Sequence, residues 1–420
     1  MSHLSIPDRV LATTHGVLGN WRGGQSLQNL VLDPELRGIQ GHILFTLFRR
    51  LASIDWIISR MCQRGNPAAK VRDVFRITLT QILYMDGIEP ATVTDTAVRF
   101  TKKKLGKRQS GFVNAVLRNV IRQGPDHLLA TVQKEAPQNV RLELSPALYE
   151  QWRRRMNDAE LESIAALLSA QAPVTVRRRA ANAPLAEADI PSCLTPLPAP
   201  DWCPEAQLWT CRNTDEFFTS EAFAAQEFYV QDPSTLLAPN ILGPKAGERI
   251  ADLCAAPGGK ALLISELAGG KSDIVAADRS PERIRRLQEN IQRCPDIHAV
   301  VGDVSAPFLR RDAFDAILLD VPCSNTGVIR RRPDVRWRFS RQHLNELVEL
   351  QAQILHCAAP LLRAGGRLVY STCSIEPEEN QEQVAAFCKA HEDFGLIQDR
   401  CLKPSEYHDG AYAALLQKKR

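Results

Sequence analysis

No run of this 420-residue sequence approaches the ~20 apolar residues that span a bilayer, so no membrane attachment is expected. The N-terminus, MSHLSIPDRVLATTHG, lacks a basic segment leading into an apolar one. A secretory signal is therefore not expected, and a cytoplasmic location is. Eleven cysteines are present: Cys62, Cys193, Cys203, Cys211, Cys254, Cys294, Cys323, Cys357, Cys373, Cys388 and Cys401. No two form a C-x-x-C pair, and their number is odd. That disfavours a zinc site and a disulfide framework, so no metal is expected and a reducing compartment fits. There is no internal repeat of solenoid period.

What is present is an ordinary globular balance, 44% apolar and 24% charged, in a chain long enough for two or three domains. The net charge of +4 conceals an asymmetry. Residues 1–150 carry 20 Lys and Arg against 12 Asp and Glu, a net of +8, and the remainder is −4. A basic N-terminal part with a cluster at Lys102, Lys103, Lys104, Lys107 and Arg108 points to an anionic partner, nucleic acid before others. The competing reading of that cluster is a solvated helix end.

Three zones follow one another. Residues 1–125 read as a helical bundle, with apolar spacings of three and four in VRDVFRITLTQILYM (71–85) and GFVNAVLRNVI (111–121). Residues 126–230 read as a linker and small α/β module. It contains a helix in LSPALYEQWRRRM, with Ser145 as N-cap and Pro146 at N1, and a strand in PVTVRRRA. Residues 231–420 alternate strand and helix, which predicts a parallel sheet covered on both faces.

In such sheets ligands bind beyond the carboxyl ends of the strands. The first strand runs into CAAPGGK (254–260), a Gly-rich turn that is neither G-x-G-x-x-G nor a P-loop, so a pyrophosphate is disfavoured. The second strand ends in Asp278, placed to accept from ribose hydroxyls, and the third in Gly302-Asp303, placed to meet an adenine amine. Together they fit an adenosyl ligand without a pyrophosphate, and S-adenosylmethionine matches. The alternative for each Asp is a local helix cap.

The fourth strand ends Asp320-Val321-Pro322-Cys323 and the fifth Ser371-Thr372-Cys373. Two cysteines at neighbouring strand ends beside Asp320 suggest chemistry at a thiol. Methylation at cytosine C5 needs one, because C5 is a poor nucleophile until a thiolate adds to C6. A thiol of ordinary pKa about 8.5 then needs a positive neighbour, and Lys260 and Arg330–Arg332 are the candidates. Residues 330–338, RRRPDVRWR, suit a phosphate backbone and a splayed base at the mouth of the pocket, with Trp337 either stacking there or anchoring the loop on the core. Glu376, Glu378 and Glu379 are expected to open the last helix, favouring its dipole.

DLCAAPGGK (252–260), DVPCSNTGVIRRRPDVRW (320–337) and YSTCSIEPEEN (370–380) resemble the RNA cytosine-5 methyltransferase family. Residues 79–120 resemble a NusB-like RNA-binding domain. The combination is similar to bacterial 16S rRNA cytosine-5 methyltransferases. The resemblance implies a multidomain fold: an all-α NusB-like domain, a small α/β module, and a Rossmann-like class I methyltransferase domain. It implies S-adenosylmethionine held by Cys254, Ala255, Ala256, Pro257, Gly258, Gly259 and Lys260, with Asp278, Arg283, Asp303 and Asp320. It implies Cys373 as nucleophile, Cys323 assisting product release, and Asp320 and Lys260 beside them. The partner implied is 16S rRNA or an assembling small ribosomal subunit, and a monomer is expected.

Composition and spacing do not order the two cysteines, and DNA cytosine methyltransferases use the cysteine of a P-C motif, so the reverse assignment stays open. The same chemistry on tRNA, or a non-catalytic RNA-binding assembly factor, are the competing functions. The sequence departs from the family pattern at Arg178 and Arg179, where an apolar residue and Asn are usual, at Ala411, where an aromatic is usual, and at Thr46, where Gly is frequent.

Overall fold

The computed structural model describes residues 5–62, 65–179, 190–306 and 308–420. It divides into two compact units, Met1–Ala170 with Ile329–Ser340, and Gln171–Val328 with Arg341–Arg420. Among the described residues, no helix is long and apolar enough to cross a membrane.

The first unit is helical: α1 (Ile6–Arg22), α2 (Arg37–Arg49), α3 (Leu51–Met61), α4 (Ala69–Tyr84), α5 (Pro90–Lys104), α6 (Lys107–Gln123), α7 (Pro125–Glu135), α8 (Gln138–Arg141), α9 (Pro146–Trp152) and α10 (Asp158–Ser169). Helix α4 is buried nearly all round, through Val71, Val74, Phe75, Ile77, Leu79, Ile82 and Leu83. Each such side chain contributes roughly 1.5–3 kcal/mol on burial. Gly106 at φ +104° and Gly124 at φ +84° turn the chain between α5, α6 and α7. Ser145 caps α9 by accepting from the Leu148 amide, with Pro146 in the first turn. Asn157 and Glu160 form a reciprocal capping box on α10.

This unit extends past residue 125. Leu128, Val132 and Ala136 join the same core as Leu44, Phe48 and Phe75, so α7 completes the bundle rather than opening a linker. It also takes in a segment from far along the chain. Residues 329–340, with α11 (Val335–Arg338), belong to the helical unit although the sequence on either side belongs to the other.

The second unit holds two sheets. The smaller has β1 (Val174–Arg178), β2 (Leu194–Leu197), β3 (Leu208–Cys211) and β4 (Phe228–Val230), all antiparallel, in the order β2-β3-β1-β4. Of the strand expected in PVTVRRRA, Ala180 lies outside the described residues. The larger sheet contains β5 (Arg249–Asp252), β6 (Asp273–Asp278), β7 (Ile297–Val301), β8 (Phe314–Asp320), β9 (Leu362–Thr372), β10 (Phe394–Leu402) and β11 (Ala411–Lys418). Its order is β10-β11-β9-β8-β5-β6-β7. Strands β5 to β9 run parallel, joined by helices such as α12 (Gly259–Leu267) between β5 and β6, α13 (Pro281–Ile291) between β6 and β7, and α14 (Arg341–Ala358) before β9. A last helix, α15 (Gln381–Ala390), follows β9.

The expected all-parallel sheet is corrected at one edge, where β11 pairs antiparallel with β9 and β10 with β11. The order reverses between β5 and β8, the switch point at which open α/β sheets bind ligands.

Candidate active site

The carboxyl ends of β5, β6, β7, β8 and β9 carry the residues singled out from the sequence, all within the second unit. After β5 the chain enters Cys254–Lys260. Gly258 sits at φ +107°, and a Cβ there would lie 2.6 Å from Leu287 on α13. A Cβ on Gly259 would meet Tyr229 at 3.1 Å. The glycines thus serve the turn and the packing of the protein on itself, besides leaving backbone exposed to a ligand.

Arg283 ties this loop to the second strand. Its guanidinium donates to the Ala256 carbonyl and lies 2.9 Å from Asp278 Oδ2. That ion pair is close but poorly aligned for a hydrogen bond, so the buried Oδ2 gains charge attraction without a directed donor. Asp278 Oδ1 accepts from the Ser280 amide at 3.0 Å. Asp303 is exposed and its Oδ1 accepts from both the amide and hydroxyl of Ser305, which together hold its carboxyl below the usual range. Among the described residues no helix follows it before the next strand, so these contacts close a local turn rather than cap a helix.

The chemical centre lies at β8 and β9. Lys260 Nζ donates to Asp320 Oδ2 at 2.6 Å. Burial opposes the charge on Lys260, but Asp320 more than offsets it, and the amine is held above its ordinary pKa. Ser371 Oγ donates to Asp320 Oδ1 at 3.4 Å. The Cys323 and Cys373 sulfurs are 3.2 Å apart. Cys373 Sγ is also 3.2 Å from Asn325 Oδ1, and Asn325 Nδ2 donates to the Cys323 carbonyl at 2.7 Å. The hydrogen bond to Cys373 and then burial push the Cys323 thiol well above its ordinary pKa, which keeps its proton on. Cys254 is likewise pushed up, chiefly by burial, and remains an inert thiol.

Gly327 fastens the two cysteine loops. Its amide donates to the Cys373 carbonyl at 3.0 Å, and its carbonyl accepts from the Gly410 amide at 2.9 Å. A Cβ on Gly327 would sit 2.7 Å from the Gly410 carbonyl oxygen and 2.8 Å from that of Cys373, so no side chain fits.

Residues 239–416 match a family described as 16S rRNA methyltransferase RsmB/F, and residues 18–122 match the NusB family. A ribosomal RNA small subunit methyltransferase B from Yersinia pestis is 33% identical over 384 residues, covering 89% of this chain and 86% of that one. The chain belongs to the RsmB/F family of 16S rRNA methyltransferases. A Proteus mirabilis protein of the same name is 44% identical over 195 residues, 45% of this chain and 46% of its own length. The solved structure of PH0851 shares the fold, at a TM-score of 0.77 and 24% identity over 99% of this chain and all of that one.

S-adenosylmethionine is the cofactor of the family, and the strand ends fit it. Asp252, at the end of β5, is fully buried at the switch point, and neither carboxylate oxygen has an aligned hydrogen-bond donor. Burial first, then Asp320, pushes its pKa to about 7. The Lys260 charge and the Cys254 amide only partly offset this, and the ammonium and sulfonium charges of a bound cofactor would relieve it further. Asp252 lies just before the conspicuous CAAPGGK turn, and no local signal in the sequence marks it as part of the site.

One expectation is corrected for two of its residues. Arg330–Arg332 are expected to supply a field to the thiols and residues 330–338 a face to RNA; Arg338 is exposed and Arg331 and Arg332 are half-buried. Arg330 and Arg336 are instead buried, at 2% and 0% exposure, within the helical unit. Arg336 donates to the Glu143 and Leu168 carbonyls, both at 2.8 Å. Asp334 accepts from the Leu27 amide, and Trp337 Nε1 donates to the Phe48 carbonyl at 2.7 Å. The segment is thus anchored in the bundle by Arg336 at the Glu143 and Leu168 carbonyls and by Trp337 at that of Phe48. The charge of Lys260, one of the groups proposed to act on the thiols, couples to Cys373.

The departures at Arg178 and Arg179 also have a place. Arg177 and Arg179 both pair with Glu266, joining the smaller sheet to α12, and Arg178 donates to Gln207. Of the remaining cysteines, Cys401 is exposed, and Cys357 and Cys388 are half-buried, Cys388 packing against the core of the larger sheet. His343 and His356 neighbour Glu346 and His391, away from any role in the site described.

Proposed function

We propose that this protein transfers a methyl group from S-adenosylmethionine to C5 of a cytosine in 16S rRNA, through a covalent adduct between Cys373 and cytosine C6. The observation that carries the reading is the pair of thiols 3.2 Å apart beside the Lys260–Asp320 ion pair at the switch point of the sheet. The names and family of its relatives supply the substrate class.

The cofactor supplies an electrophilic methyl on a sulfonium. The Cys373 thiolate adds to C6, forming the S–C6 bond and moving the C5=C6 electron pair toward C5. Lys260 favours the thiolate by its charge, and Asp320 sits where a carboxyl can hold the developing charge of the ring near N3. C5 takes the methyl and leaves S-adenosylhomocysteine, the C5 proton passes to water, and the electrons of the C5–H bond re-form C5=C6 while the S–C6 bond breaks with its electron pair going to the Cys373 sulfur. Cys323, held as a thiol, is placed to supply the proton that Cys373 needs on release. CAAPGGK with Asp252 and Asp278 binds and orients the cofactor, with Arg283 bracing loop against strand. The target base must leave any stack to reach Cys373.

The RNA is drawn first to the helical unit. Lys102, Lys103, Lys104, Lys107 and Arg108 are all exposed where α5 meets α6, which supports a phosphate-binding role.

Incubation with S-adenosylmethionine and unmodified 16S rRNA, followed by mapping of 5-methylcytosine, tests the reading. Methyl transfer to a cytosine C5 is expected. Cys373→Ala is expected to abolish transfer and adduct, and Cys323→Ala to trap a denaturation-resistant protein–RNA adduct. No transfer with cofactor binding intact, or transfer to tRNA alone, contradicts it. Adduct formation by Cys373→Ala reverses the roles of the two thiols.

A further inference from the structure

Glu379 was expected to serve the dipole of the last helix, but α15 begins at Gln381 and Glu379 points elsewhere. It is completely buried. Its Oε1 accepts from the Ser324 amide at 2.8 Å and from Gln351 Nε2 at 2.9 Å, and its Oε2 from the Ser324 hydroxyl at 2.5 Å. Gln351 Nε2 also donates to the Pro322 carbonyl at 2.9 Å. The residues on both sides of Cys323 are therefore tied to one carboxylate.

The next residue does the same for the other thiol. Asn380 accepts from Thr372 Oγ1 at 2.6 Å and donates to the Ser374 carbonyl at 2.9 Å, gripping both neighbours of Cys373. Hydroxyl contacts of 3.1 Å from Ser374 to Ser324 and to Thr326 close the gap between the loops. The Tyr370 hydroxyl, donating to the Glu379 carbonyl at 2.6 Å, fixes the turn itself.

We infer that Glu379 is a positioning residue for the release step, holding the Cys323 thiol, through Ser324 and Gln351, against the sulfur of Cys373. This rests on the reading above, in which Cys323 serves release and Cys373 addition. Two physical arguments separate it from a purely structural role. A buried carboxylate is costly, and three directed donors are spent on it here, all from the Cys323 loop or the side chain that braces that loop. Its negative charge also adds to the forces that keep the Cys323 proton in place, after the hydrogen bond to Cys373 and burial. Losing it should disturb what Cys323 does while leaving Cys373 and Lys260 in place.

The test compares wild type, Cys323→Ala, Glu379→Ala and Glu379→Gln on unmodified 16S rRNA with S-adenosylmethionine, following adduct formation and adduct release in single turnover, with thermal unfolding alongside. Gln keeps the shape, and its amide nitrogen can donate to the Ser324 hydroxyl, so most of the positioning survives. Glu379→Ala is expected to slow release by roughly ten- to a hundredfold, the range for losing one or two charge-assisted hydrogen bonds, with formation changed much less. Adduct should then accumulate as it does for Cys323→Ala, and Glu379→Gln should restore most of the release rate. Equal slowing of formation and release in both variants, or release unchanged in both, overturns the inference. If Cys323→Ala itself accumulates no adduct, the assignment of release to Cys323 fails, and the inference falls with it.

Discussion

Glu143 in the helical unit and Asp252 in the other are both buried carboxyls whose pKa is pushed up to about 7, and the two are served differently. Glu143 in the helical unit accepts from the Ala52 amide at 3.0 Å, the Ser53 amide at 3.4 Å and the Ser53 hydroxyl, with buried Arg336 adjoining. Desolvation is the main cause of its raised pKa, and Ser53 and Arg336 restrain it. Asp252 in the catalytic unit has the same desolvation without an aligned donor on either oxygen. Burial of a charge-bearing group is tolerated where the chain itself supplies partners, and it signals a ligand where the chain does not. Glu143 closes a structure, whereas Asp252 is proposed to await the charge of the cofactor.

The largest expected effect lies on the closed side. Arg336→Ala leaves the Glu143 and Leu168 carbonyls buried without donors, and removes the charge beside Glu143. A loss of about 3 kcal/mol or more is expected, seen as a lower Tm and faster amide exchange over residues 143–169. If Arg336→Ala unfolds no more easily than wild type, the anchoring of 329–340 is not what it is argued to be.

Asp252→Asn should behave in the opposite sense. Stability at pH 8 is expected to be unchanged or higher, while S-adenosylmethionine affinity by calorimetry falls about tenfold, the equivalent of 1.4 kcal/mol. A stability loss with intact affinity would make Asp252 structural, like Glu143.

The third difference is in pH. Both groups have folded pKa values raised above their ordinary ones, from 3.8 for Asp252 and 4.5 for Glu143 to about 7. Their stabilising contribution is therefore present below the ordinary value and is lost as pH rises through about 7. Each costs about 1.4 kcal/mol per pH unit within that window. Glu143→Gln and Asp252→Asn should each flatten the pH dependence of unfolding. Saturating cofactor should offset the Asp252 part alone, and cofactor affinity should rise as pH passes 7. An offset of both parts contradicts the distinction.

The smallest effect concerns the surface. Lys102→Ala, at an exposed position, should weaken RNA binding and reduce the salt slope by about one without touching the thermal transition.

The same contrast explains what could be read in the sequence. Strands β5, β6 and β8 and the CAAPGGK turn were legible because period and glycine content are local signals. So were Cys323 and Cys373, since both end strands of a parallel sheet. Strands β10 and β11 were not, because their pairing with β9 is antiparallel and follows no helical crossover. The fate of Arg336 was not legible either, since its partners Glu143 and Leu168 lie more than 150 residues earlier. An arginine reads the same in a sequence whether it meets a phosphate or a buried carbonyl. Glu379 misled for a related reason: a carboxylate near a helix start is usually a dipole partner, and only the fold reveals that it faces Ser324.

The central claim is that Cys373 adds to a cytosine of 16S rRNA and Cys323 lets it go. The most direct measurement is denaturing electrophoresis of the Cys323→Ala protein after incubation with S-adenosylmethionine and unmodified 16S rRNA, followed by mass analysis of the linked peptide. The account predicts a stable adduct joining Cys373 to a methylated cytosine. An adduct through another residue, or none at all despite bound cofactor and RNA, would contradict it.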